Sequence, residues 1–194
     1  MSKEKWFIME KKTKLLKKTI LWHVVNTEKE LDEMSLDKIL PILKDKVEQP
    51  NTKDDWGDSL YLAEKDTVAI GYADDTNGKK PYLVELELIS DLPCVDSDNE
   101  VYKGDDYRKG VYTVPTECIK AQVENLFLKP MLSSRFMKYL DAQEFAYRCF
   151  HDIEGNKEII VPSRMVTSVY FKVKRVYKLV KDSSTHLYGK PGVN

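Results

Sequence analysis

The amino-acid sequence predicts an α+β fold in which two mixed β-sheets pack together with helices at their edges. Runs rich in β-branched and aromatic residues cluster at the beginning, middle and end of the chain, and helical patterns fall between them. No internal repeat or linker-like stretch divides the 194 residues, a length that suits a single domain, 1–194, with a sizeable core. The apolar fraction of 42% and the charged fraction of 32% are those of a folded globular protein.

In chain order, residues 10–18 read as a Lys-rich helix and Thr19–Val25 as a strand of β-branched and aromatic residues. Thr27 with Glu30 forms a capping-box pattern that predicts a helix start, and Ser35 predicts a second helix bent by Pro41. A polar loop from Pro50 to Gly57 leads into a short strand at Leu60-Tyr61-Leu62, a helix over Glu64–Ala73 and a turn at Asn77-Gly78. Leu83–Leu88 alternates apolar and acidic residues, the pattern of a strand with one face in water. Val111–Val114 reads as a strand, Thr116–Pro130 as a helix and Ser133 to about Cys149 as another. The end is strand-rich, with Glu158–Val161, a turn at Pro162-Ser163-Arg164, and Ser168–Val180.

Several classes of function find no support. Cys94, Cys118 and Cys149 are an odd number without paired spacing, which fits free thiols in a reducing, cytoplasmic setting. The apolar stretches Trp6–Met9 and Ile20–Val25 are too short for a signal sequence or a membrane span, so no membrane partner is expected. No metal site is expected either: the acidic run Asp96–Asp106 lacks the Gly and Glu of a calcium loop, and His23, His151 and His186 lack metalloprotease spacing. The absence of P-loop, Gly-x-Ser-x-Gly and Gly-x-Gly-x-x-Gly motifs removes the basis for NTPase, α/β-hydrolase and Rossmann readings. A formal net charge of −1 gives no global attraction to nucleic acid. The lysine-rich stretches Lys11–Lys18 and Lys172–Lys181 read first as solvated faces, and second as a nucleic-acid docking surface flanked by Trp6 and Tyr177.

Three separated segments carry the candidate chemistry. Taken singly, a His after a Trp, a Tyr in a short strand and a Glu before an apolar run are most often ordinary core or edge residues. Together, Thr19-Ile20-Leu21-Trp22-His23, then Gly57-Asp58-Ser59-Leu60-Tyr61-Leu62-Ala63-Glu64 with Ala69-Ile70-Gly71-Tyr72-Ala73, and finally Asn156–Lys174, resemble the His-Tyr-Glu class of ADP-ribosyltransferases. This is the class of the diphtheria-toxin-like enzymes and the poly(ADP-ribose) polymerases.

The resemblance implies an ADP-ribosyltransferase-like fold. It also implies an enzyme that uses NAD as substrate without a metal, releases nicotinamide and passes ADP-ribose to a protein or nucleic-acid acceptor. Glu158 is then catalytic, its carboxylate holding the nicotinamide-ribose 2′-hydroxyl and stabilising an oxocarbenium-like transition state. His23 hydrogen-bonds the adenosine ribose, the Val24 backbone grips the carboxamide, and Tyr61 and Tyr72 sandwich the nicotinamide ring. Val24 stands where the family usually has Gly. Asn156 stands two positions before Glu158, where arginine-modifying members carry a second acidic residue, and Lys157 adds a cation. An acceptor other than arginine is therefore expected. With water as acceptor the chain would be an NAD glycohydrolase, and with turnover lost it would be a non-catalytic binding module. A Lys-rich chain of this kind also suits a bacterial or viral effector, toxin or defence factor.

Overall fold

The computed structural model describes residues 10–45, 59–97, 140–150, 156–181 and 187–190. Its backbone is one long ribbon. Strands β1 (Glu10–Leu15) and β2 (Ile20–Thr27) follow one another, as do β4 (Lys80–Leu88) and β5 (Leu92–Ser97). The two pairs run antiparallel over their whole length, with Glu10 opposite Ser97, Leu15 opposite Leu92, Ile20 opposite Glu87 and Thr27 opposite Lys80. The register passes the corner without a shift. There the Lys18 N–H donates to the Leu88 carbonyl at 2.7 Å, and the Leu88 N–H donates to the Thr19 carbonyl at 2.9 Å. Lys18 adopts a φ of 74°, an uncommon conformation for a side-chain-bearing residue that turns the ribbon.

β3 (Ser59–Ala63), β6 (Ala146–Phe150) and β7 (Lys157–Pro162) bridge the ribbon's outer edges, while β8 (Phe171–Lys181) and β9 (Leu187–Lys190) extend it past β4. The strand order is β1-β5-β6-β7-β3-β2-β4-β8-β9, mixed because β5 and β6 are parallel. The architecture is α+β, but hydrogen bonding joins these nine strands into one sheet where two were expected. The joint is narrow, for β2 and β3 share only the Trp22–Ala63 pair. Leu21, Val25, Val84, Leu86 and Val173 on one side of this seam share the main core with Leu60, Leu62, Ile159, Val161 and Leu92 on the other. The two groups of strands thus bury one apolar interior between them. Helix α1 (Ile39–Asp45) adds Ile39, Ile42 and Leu43 to that interior. Helix α2 (Asp66–Ile70) covers the opposite face at the seam, where Ala69 clusters with Val24, Ala63, Leu83 and Leu179.

Tertiary pairing overrides several local signals. Residues 10–18 form β1 and the corner instead of a helix, and Lys12 and Lys14 suit a sheet edge, where cationic side chains discourage pairing with another chain. Lys14 meets Asp91 at 2.6 Å, and Lys12 lies 4.9 Å over the Phe145 ring. No helix starts at Thr27, whose Oγ1 accepts the Lys29 N–H at 3.2 Å, and Glu30 is engaged by Lys80 and by the Tyr82 hydroxyl. A 3-10 turn over Leu36–Lys38 leads instead into α1, and Pro41 falls in its first turn, where a missing N–H is tolerated. β4 does not keep one face in water: β8 lies beside it, and Glu85 is 8% exposed beneath the Tyr177 hydroxyl and Lys174.

The helix expected to reach Cys149 stops earlier. Glu144 takes a left-handed φ of 59°, the Phe145 N–H reaches the Leu140 carbonyl and the Glu144 N–H reaches the Asp141 carbonyl, a Schellman ending that frees Ala146–Phe150 to join the sheet. The Asn77-Gly78 turn is present, with φ of 55° and 77°. Trp6–Met9, the Pro50–Gly57 loop, Val111–Val114, Thr116–Pro130, Ser133, most of the Asp96–Asp106 run, Cys118, His151 and His186 lie outside the described residues. Among the described residues Cys94 and Cys149 are buried free thiols, and no helix is long and apolar enough to cross a membrane.

Candidate functional site

β2, β3 and β7 lie side by side, and each carries one of the three segments singled out in the sequence. Trp22 is opposite Ala63, and Ala63 is opposite Glu158. At the usual strand spacing the backbones of Trp22 and Glu158 stand about 10 Å apart with only an alanine between them. The sheet therefore gathers His23, Tyr61 and Glu158 from distant parts of the chain.

His23 sits where β2 parts from β3. Its Nδ1 lies 2.7 Å from the Tyr61 carbonyl oxygen. A carbonyl can only accept, so Nδ1 carries the proton and Nε2 is the acceptor nitrogen. Burial lowers the ring's pKa to about 4, outweighing the Tyr61 hydrogen bond that favours the charged form, so the imidazole is neutral at pH 7. The acceptor Nε2 is what a sugar hydroxyl requires. Because the folded pKa lies below the ordinary 6.5, this stabilisation is complete above pH 6.5 and is lost as the pH falls toward 4. At pH 5 the loss is about 2 kcal/mol. Urea midpoints measured at pH 7.5 and pH 5 are expected to diverge more in the parent than in His23→Gln, and equal divergence would remove this role.

Glu158 is 7% exposed and lies opposite Cys149 on β6. Strand alternation places it with Ile160, Tyr61, Ala63, Trp22 and Val24 on the face covered by α2. His23 alternates with Leu21 and Val25 toward the main core. A ligand touching both His23 and Glu158 has to pass through the gap between β2 and β3.

Tyr72 follows α2 and is 53% exposed. Its backbone is held by Asn26 near the end of β2, whose Nδ2 donates to the Tyr72 carbonyl at 3.0 Å while its Oδ1 accepts the Asp74 N–H at 2.8 Å. Val24 is 8% exposed and packs under α2 with Ala63, Ala69 and Leu83. Its side chain is a core residue of the seam. Val24→Gly is expected to cost about 2–4 kcal/mol through the cavity left under α2 and the freedom of a glycine in a strand. An unchanged denaturation midpoint would place Val24 outside the core.

In direct comparison the chain matches no protein family, no curated protein and no solved structure. The site therefore has to be argued from its own geometry.

A charged network that the sequence did not suggest ties together the strands around Glu158, on the opposite face of the sheet from its side chain. Arg148 on β6 donates from Nε to Glu64 at 2.5 Å and from Nη2 to its second oxygen at 3.0 Å, and from Nη1 to Asp96 at 2.5 Å. Lys157 donates to the other Asp96 oxygen at 3.1 Å. Glu64 directly follows Ala63, Lys157 directly precedes Glu158, and Arg148 directly precedes Cys149, so the network ties together every strand that flanks the glutamate. Asn26 was also missed; a polar residue interrupting an apolar strand was its only signal. Among the described residues no group of His, Cys, Asp and Glu could hold a metal. A surface cavity of about 360 Å³, lined by Lys12, Asp91, Phe145 and Tyr170 among others, shares no residue with the site.

Proposed function

We propose that this chain uses NAD as substrate, releases nicotinamide and transfers ADP-ribose to a macromolecular acceptor on an ADP-ribosyltransferase-like fold. The observation that carries this reading is the register Trp22–Ala63–Glu158, which brings the three segments onto adjacent strands. The bond from nicotinamide to ribose C1′ breaks with oxocarbenium character, so the protein's task is orientation and a fixed negative charge beside the developing cation. Glu158 supplies that charge from a sheltered position. His23 accepts a hydroxyl of the adenosine ribose at Nε2, and Tyr61 and Tyr72 hold the nicotinamide ring between them. The Val24 backbone remains the group that grips the carboxamide, while its side chain points into the α2 cluster. The deciding experiment is incubation with labelled NAD, with and without cell extract, followed by separate assays of free nicotinamide and of label in protein and in nucleic acid. Nicotinamide release without label in either fraction would make the chain an NAD glycohydrolase.

One observation favours a second reading, a binding module without turnover: the Val24 isopropyl packs among Ala63 and Ala69, between β2 and α2. Binding of a nucleotide without nicotinamide release would identify that case.

The acceptor is expected to be something other than arginine. Asn156 offers an amide where a carboxylate would pair with a guanidinium. Lys157 contributes less to this than the sequence suggested, because its ammonium is 3.1 Å from Asp96 and its side chain is 14% exposed. Peptide mapping that located ADP-ribose mainly on arginine would overturn the expectation. The basic stretches also give limited support to a nucleic-acid acceptor: Lys174 is paired with Glu85 and Glu87, and Lys178 with Glu30 and Asp32.

A further inference from the structure

We infer that Asn26 is a positioning residue that sets where the Tyr72 ring stands over the nicotinamide site. The inference rests on the NAD reading above. Tyr72 lies in the turn that closes α2, where its N–H donates to the Ala69 carbonyl at 3.0 Å, and it is 53% exposed. What ties this turn to β2 is a two-point clamp: one side-chain amide spans the turn, donating to the Tyr72 carbonyl at 3.0 Å and accepting the Asp74 N–H at 2.8 Å. The carboxamide presents a donor and an acceptor on two atoms of one planar group, which an ionised aspartate, an acceptor only, does not reproduce. Asn26 itself is rigidly based, because it lies in the β2–β4 ladder opposite Pro81, three residues beyond His23.

The turn is reinforced on its far side. Asp74 accepts from the Thr76 N–H at 2.9 Å and the Thr76 hydroxyl at 2.7 Å, and Lys79 reaches its second oxygen at 2.8 Å. The Lys79 and Thr76 hydrogen bonds hold the Asp74 carboxyl well below the usual carboxylate range, so it stays ionised across the working pH. Residues 72–79 thus form a preorganised strap that Asn26 ties to the strand of His23. Fixing an exposed ring before the ligand arrives removes an ordering cost from binding.

The test is a double-mutant cycle on NAD affinity, with thermal stability measured alongside. Asn26→Asp keeps the acceptor for Asp74 but sets a carboxylate against the Tyr72 carbonyl, and is expected to weaken NAD binding about 5- to 10-fold. Asn26→Ala is expected to do the same. In a Tyr72→Ala background neither substitution is expected to weaken NAD binding further, because no ring is left to place. The melting temperature is instead expected to fall with each Asn26 substitution in both backgrounds. Full additivity of the affinity losses, or parental affinity in Asn26→Asp, overturns the inference. If the parent binds no NAD, or Tyr72→Ala leaves its affinity unchanged, it is the functional reading that fails.

Discussion

Glu158→Gln is expected to lower nicotinamide release about 10²–10³-fold while NAD affinity stays within several-fold of the parent. The amide keeps the size and one hydrogen-bonding oxygen, so it can still meet the ribose hydroxyl in the ground state. It lacks the charge that matters only as the glycosidic bond opens. Backbone pairing of Glu158 with Ala63 and Cys149 is unaffected by the change, so the folded state is expected to persist, and an unchanged circular dichroism spectrum checks this. If the chain is toxic when expressed, the same substitution is expected to relieve the toxicity. Parental turnover in Glu158→Gln would take this residue out of the mechanism.

Arg148→Met is expected to destabilise the fold by about 2–3 kcal/mol and to lower the melting temperature by about 4–12 °C. Methionine keeps much of the apolar stem and removes the guanidinium. Glu64 then loses both of its Arg148 hydrogen bonds, while Asp96 keeps Lys157. The side chains of Arg148 and Glu64 are each 27% exposed, so water recovers part of the loss and the cost stays below that of a fully buried pair. Adding Glu64→Gln to Arg148→Met removes the stranded charge and is expected to restore part of the stability. A double mutant no more stable than the single would show that the carboxylate is not what the substitution strands.

Elements whose own residues determine their state were legible in the sequence. The alternating, β-branched stretches at 20–27, 59–63, 157–162 and 171–181 are strands, and Asn77-Gly78 is a turn because both positions need a positive φ. Elements decided by a distant partner were not. Residues 10–15 have the composition of a solvated helix and become a strand only because Leu92–Ser97 supplies a ladder. Glu85 looks like a water-facing position until β8 arrives with Tyr177 and Lys174. In the site, His23, Tyr61, Tyr72 and Glu158 could be picked out because each stands in a short motif. Arg148 and Asn26 could not, since their importance lies in which backbone or carboxylate they reach. Val24 stands in a motif that suggests a ligand contact, and its burial under α2 makes its side chain a packing residue.

The ribbon also bears on the order in which this protein assembles. Its partners are far apart in sequence, Thr27 with Lys80 at the near end and Glu10 with Ser97 at the far end, and pairings of that separation close slowly. Yet all of them lie within the first half of the chain, whereas β7 is translated much later and must slot between β3 and β6. Until it does, the edge of β3 that faces away from β2 is bare and no glutamate stands in the row with Trp22. A nascent chain can therefore build the ribbon of β1, β2, β4 and β5 before Glu158 joins the row with Trp22 and Ala63.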